Sequence, residues 1–117
     1  MAIHQGDVYW IDRENVGTPI PHPHVVIIQP DDLNHDPDVR TVVVCAVTTN
    51  LKKLEMPGNV LLEPGEANLP RPSIVEVSKV LTLDKAHLGE RIGTLSQQRL
   101  EEIRAGMRFV RRSYLDR

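Results

Sequence analysis

The sequence predicts a mainly β protein ending in one helix: a small, strongly curved sheet or barrel of five to seven short strands, with the helix packed on it. Three observations carry this expectation. Short β-branched runs recur along residues 6–94, separated by clusters of Gly, Pro, Asp and Asn that mark turns. Helical periodicity appears at the end, where Leu100, Ile103, Met107 and Val110 recur at three- and four-residue spacing. Aromatics are scarce, with one Trp, two Tyr and one Phe, so the core must be mostly Val, Leu and Ile.

The elements follow in order. "GDVYWID" (6–12) reads as a first strand, with Val8, Trp10 and Asp12 on one face and Tyr9 and Ile11 on the other. The Gly- and Pro-rich "RENVGTPIPHP" is a loop. At its end Pro19, Pro21 and Pro23 hold His22 and His24 in an extended, rigid segment, because proline fixes φ and restricts the residue before it. "HVVIIQ" (24–29) is the second strand, and "PDDLNHDPD" (30–38) is a loop dense in turn formers. "VRTVVVCAVT" (39–48) is apolar on both faces and therefore central. Residues 49–57 form a connection, and "GNVLLE" (58–63) a fourth strand. After the turn-rich excursion 64–72, "SIVEVSKVLTLD" (73–84) reads as one long strand or two consecutive ones. A short helical turn at 84–88 and an extended piece near Ile92 precede the helix. Ser96 is its N-cap, while Glu101 and Glu102 near the start and Arg108, Arg111 and Arg112 near the end suit the helix dipole.

Length and composition exclude several function classes. The 117 residues suit one domain, 1–117. A net charge of −2 argues against a protein that coats nucleic acid by charge alone, while leaving room for a local basic groove. The single cysteine, Cys45, sits in the apolar run "TVVVCAVTT", where a buried, inert thiol is expected. A chain without an internal disulfide, without a signal-peptide pattern and without an apolar run near the ~20 residues that span a bilayer is expected in the cytoplasm, with no membrane partner. The five histidines show neither helical pairing nor a CxxC companion. His22 and His24 can point the same way from a strand but lack an evident third ligand, so no metal and no other cofactor is expected.

Four pieces of the sequence go further. "GDVYW", "AVTTN", "PGNVLLEPGEANLPRPSIVEV" and "LDKAHLGERIGTLS", in this order and at this spacing, resemble the MazF/PemK family of bacterial toxins over Gly6 to about Val110. The resemblance implies a plug-like, SH3-type β-barrel with a C-terminal helix. It implies a homodimer, an antitoxin partner that blocks the RNA groove, and metal-independent endoribonuclease activity on single-stranded mRNA. In that reaction the 2′-OH attacks the adjacent phosphate and leaves a 2′,3′-cyclic phosphate and a 5′-OH end.

Such cleavage needs a group to accept the 2′-OH proton, one to protonate the departing 5′-oxygen, and one to stabilise charge on the phosphorane. The family uses an arginine in an Arg-Pro step at the start of the second strand and a threonine at the end of the third. The threonine matches Thr48, and Thr49 stands where the family has a small polar residue. The arginine does not match: His22-Pro23 takes the place of Arg-Pro, and Lys79 stands where glutamine is common. Histidine cannot reproduce the planar guanidinium fork, but it serves as acid or base near its ordinary pKa of ~6.5. The expected catalytic residues are therefore His22 and Thr48, with His24 and Thr49 in support.

Other residues carry a functional and a plainer reading side by side. Lys52, Lys53, Arg71 and Lys79 are candidate RNA contacts, or isolated solvated charges. Trp10 is expected in the core, with stacking on a base as the alternative. The helix stripe is core, with antitoxin or dimer contact as a further role. The tail "RRSYLDR" reads as a solvated end. The main competing function is a catalytically degenerate module that binds RNA or an antitoxin without cleavage, which the missing arginine favours. Inhibition of DNA gyrase rests on fold analogy alone.

Overall fold

In the computed structural model, which describes residues 2–11 and 24–112, the β-branched runs become six strands. They are β1 (Asp7–Ile11), β2 (His24–Ile27), β3 (Thr41–Thr48), β4 (Val60–Leu62), β5 (Ser73–Asp84) and β6 (Leu88–Thr94). All described pairings are antiparallel, in the order β4-β5-β3-β2-β1-β6. β3 is central, between β2 and β5, as its two apolar faces require. Alternation along the strands divides the core in two. Val8, Val26, Cys45, Val47, Val75 and Val77 pack with Leu95 and Ile103. Tyr9, Ile11, Val25, Ile27, Val42, Val44 and Leu83 form the second cluster with Ile3.

The mainly β architecture with a C-terminal helix is as expected, and the sheet is not closed. Its edges, β4 and β6, do not pair. A 3-10 turn at Glu66–Asn68 lies against β6 instead. Asn68 Nδ2 donates to the Ile92 carbonyl at 2.9 Å, and a Cβ on Gly93 would run into the Ala67 backbone. Arg99 anchors the turn from the helix side, donating from Nε and Nη2 to the Glu66 carboxylate at 2.8 Å each. This bidentate pair holds the Glu66 carboxyl below its usual range.

Residues 73–84 are one strand with a break in register. Cys45 faces Val80 while Ala46 faces Glu76, so Val77, Ser78 and Lys79 form a bulge. The extended piece near Ile92 is a full strand of seven residues. The helical turn before it, Lys85–His87, is capped by Asp84, which accepts from Ala86 N at 2.9 Å. The loop at 30–38 contains a short helix, α1 (Asp31–Asn34), that opens after Pro30 with Asp31 and Asp32 in its first turn.

The C-terminal helix, α2 (Gln97–Val110), starts where Ser96 Oγ accepts from Arg99 N at 3.2 Å. Leu100 and Ile103 are buried, and Met107 and Val110 pack partly on the same core. Gly106 brings α2 onto the Gly58 backbone: a Cβ at Gly106 would overlap the Gly58 carbonyl oxygen.

The core role expected for Trp10 is corrected. It is 43% exposed, although the rest of β1 is buried. It keeps regular register with β2 but lies near the end of β1, against half-buried His24 and outside the core cluster. In the pairing with β6, Tyr9 faces Arg91 and Ile11 faces Leu88. One extra residue of β6 therefore lies opposite Trp10.

Candidate active site

β2 begins beside the end of β3, because His24 pairs with Val47. Thr48, the last residue of β3, follows the partner of His24, and both residues line one cleft. The segment leading into β5 completes a cleft of about 270 Å³ lined by His24, Val47, Thr48, Thr49, Pro70, Arg71 and Ser73. The cleft thus draws on three separate stretches of the chain.

Each polar member is held differently. Thr48 is buried, and its Oγ1 accepts from Asn50 N at 3.1 Å. With one lone pair so engaged, its O–H is left to donate into the cleft. Asn50 is fixed in turn, its side chain accepting from Lys52 N at 3.2 Å to start the 3-10 turn Leu51–Glu55. His24 is half-buried, and burial lowers its pKa below the ordinary 6.5. It is therefore a neutral imidazole at neutral pH, with one ring nitrogen able to accept a proton. Its ring lies against Trp10, with centroids 4.0 Å apart and planes tilted by 46°. Arg71 is exposed between Pro70 and Pro72, and its carbonyl accepts from Ser73 Oγ at 3.0 Å. A guanidinium there supplies a fixed charge with a planar fork of donors, suited to a phosphate.

The cleft gathers His24, Thr48, Thr49 and Arg71 from the residues singled out in the sequence. His22 lies outside the described residues. Lys52, Lys53 and Lys79 do not line the cleft. Lys79 Nζ instead sits 3.6 Å from Glu76 Oε1. Ser73 is the polar member that sequence reasoning missed; its only signal was its place after "LPRP". Cys45 is buried as expected, and burial pushes its thiol pKa up to about 12. A larger groove of about 640 Å³ lies elsewhere, among Met56, Val77, Val80, Met107 and Val110. Its surface is mostly apolar, its lining also includes Ser78, Arg108 and Arg111, and among the described residues it holds no His, Asp or Glu. Among the described residues, no group of three or more His, Cys, Asp or Glu side chains is placed to hold a metal ion.

Residues 4–110 match the family model for PemK-like, MazF-like toxins of type II toxin–antitoxin systems. The chain belongs to this family. Endoribonuclease MazF6 of Mycobacterium tuberculosis is 33% identical over 112 residues, covering 94% of this chain and 97% of that protein. Two solved structures share the fold. An endoribonuclease in complex with its cognate antitoxin, from a mycobacterial species, has a TM-score of 0.68 at 21% identity, covering 92% of this chain and 91% of that one. MazF from Deinococcus radiodurans has a TM-score of 0.72 at 16% identity, covering 94% and 96%.

Proposed function

We propose that this PemK/MazF chain is the toxin of a type II toxin–antitoxin pair and a metal-independent endoribonuclease acting on single-stranded mRNA. The observation that carries the reading is the meeting of His24, Thr48 and Arg71 in one cleft. A neutral imidazole, an oriented hydroxyl and a guanidinium are what 2′-OH attack on a phosphate calls for.

The steps follow from those groups. His24 accepts the proton of the ribose 2′-OH as its oxygen bonds to phosphorus. The Arg71 guanidinium and the Thr48 O–H hold the non-bridging oxygens as negative charge builds. The bond from phosphorus to the 5′-oxygen breaks, and His22, at the position of the family's arginine, is the proposed donor of a proton to the leaving oxygen. The products are a 2′,3′-cyclic phosphate and a 5′-OH end. Arg71 supplies from the loop before β5 the guanidinium that the start of β2 lacks, which favours cleavage over a degenerate binding module.

The proposed partners are single-stranded RNA and a cognate antitoxin, the latter supported by the mycobacterial complex. The protein is proposed to act in the cytoplasm as a homodimer. Exposed Met56 and Val80 beside the apolar groove support a protein-covered face there. The test is incubation of the purified protein with long single-stranded RNA in EDTA, followed by mapping of the ends. New 5′-OH ends that persist in EDTA support the reading. No cleavage by the wild type, with cleavage gained in His22→Arg, assigns the degenerate binding module instead.

A further inference from the structure

We propose that Trp10 is a stacking platform for the RNA base next to the scissile phosphate, and so a binding determinant of the same cleft. The inference rests on the endoribonuclease reading. Its grounds are an exposure that packing does not explain and a position set by backbone geometry. Trp10 is the one exposed residue of β1 and the single tryptophan of the chain. At 43% exposure the indole forgoes a large share of the apolar area it could bury. An extra β6 residue lies opposite it, and bulges are common beside active sites.

The placement is rigid as well as exposed. Gly89 lets β6 approach so closely that a Cβ there would lie 3.2 Å from the Trp10 carbonyl oxygen and 3.3 Å from its Cβ. His24 leans on the indole from the adjacent strand, and the same His24 lines the cleft with Thr48 and Arg71. His24 therefore links the indole to the cleft in which the phosphate is proposed to sit. The exposed part of the indole, 43% of the residue, is what a neighbouring base would stack on. Stacking of this kind tolerates any base, because every base has a π-face. Trp10 would thus strengthen binding at one nucleotide without dictating its identity.

Because Trp10 is the single tryptophan, its emission reports directly on this contact. The probe is a short RNA spanning a mapped cut site, with 2′-deoxyribose at the cut nucleotide to block cleavage. The expected result is quenching of Trp10 emission on binding and about 10-fold weaker binding by Trp10→Ala, with most affinity kept by Trp10→Phe. An abasic nucleotide beside the cut should weaken wild-type binding by a similar factor and cost Trp10→Ala nothing further. Binding that leaves the emission unchanged, or an abasic penalty that persists in Trp10→Ala, overturns the inference. The emission readout holds even if Trp10→Ala fails to fold. A wild type that cuts RNA with unresponsive Trp10 sinks the platform alone; a wild type that cuts no RNA in EDTA sinks the endoribonuclease reading and this inference with it.

Discussion

Replacing Gly106 with alanine separates helix propensity from packing. On propensity alone, Gly106→Ala inside α2 should stabilise the protein by about 1 kcal/mol. The structure predicts the opposite. Gly106 is buried, and the new Cβ would overlap the Gly58 carbonyl oxygen, which is backbone and not the movable tip of a side chain. Gly58 has φ +91°, which only glycine adopts freely, and its own carbonyl faces the helix. Overpacking costs typically about 1–3 kcal/mol, and a backbone clash belongs at or above the top of that range. After the propensity gain the net loss is about 2 kcal/mol, a fall in Tm of roughly 8–10 °C for a domain of this size. The control is Ala105→Gly on the exposed side of the same turn, which should lose about 1 kcal/mol from propensity alone. Thermal melts by circular dichroism read both. A Gly106→Ala protein as stable as the wild type, or more stable, would refute the close seating of α2 on Gly58.

Three further predictions follow from titratable groups. Because His24 is held below 6.5 by burial and acts as the proposed base, kcat/KM should rise with pH through a pKa below 6.5, and His24→Ala should lose that limb; a profile with no such limb would remove His24 from the base role. The same group affects stability: the unfolded chain takes up a proton before folded His24 does, so its effect appears as pH falls from 6.5 through the folded pKa and is absent above 6.5. Glu66→Gln keeps the shape of the Arg99 pair but removes its charge, and should lower Tm by about 4 °C near neutrality, for a partly buried bidentate pair worth about 1 kcal/mol. The Glu66 carboxylate is favoured in the fold, so that difference should vanish as pH falls below 4.5 through its folded pKa. Cys45, with its pKa pushed up to about 12, should resist iodoacetamide in mildly alkaline buffer until the protein is unfolded, as read by mass spectrometry.

Local patterns announced much of this fold, and long-range geometry supplied the rest. β3 reads as central because both of its faces are apolar, and α2 reads from Ser96 and its stripe of Leu100 and Ile103; both features belong to contiguous residues. The open edge does not read this way. It depends on Asn68 meeting Ile92 and Arg99 meeting Glu66, contacts between residues 24 and 33 positions apart. Trp10 misled for a related reason: alternation puts it on the Val8 face, but it lies near the end of β1 against half-buried His24 and outside the core cluster. In the cleft, Thr48 came from the family resemblance and His24 from its place at the start of β2. Arg71 was one basic loop residue among several, and nothing local told it apart from Lys52 or Lys53. Only the folded chain brings Arg71 to Thr48 and leaves the two lysines outside the cleft lining.

The central claim is that His24, Thr48 and Arg71 form the cleaving centre. Its most direct test is the single-turnover cleavage rate of Thr48→Ala and Arg71→Ala on one single-stranded RNA in EDTA, with folding verified by melting. Each variant removes one donor to the charged phosphorane, and each should slow cleavage by about 100-fold or more. Arg71→Lys should recover only part of the loss, since an ammonium lacks the planar fork. Wild-type rates in Thr48→Ala and Arg71→Ala would contradict the account.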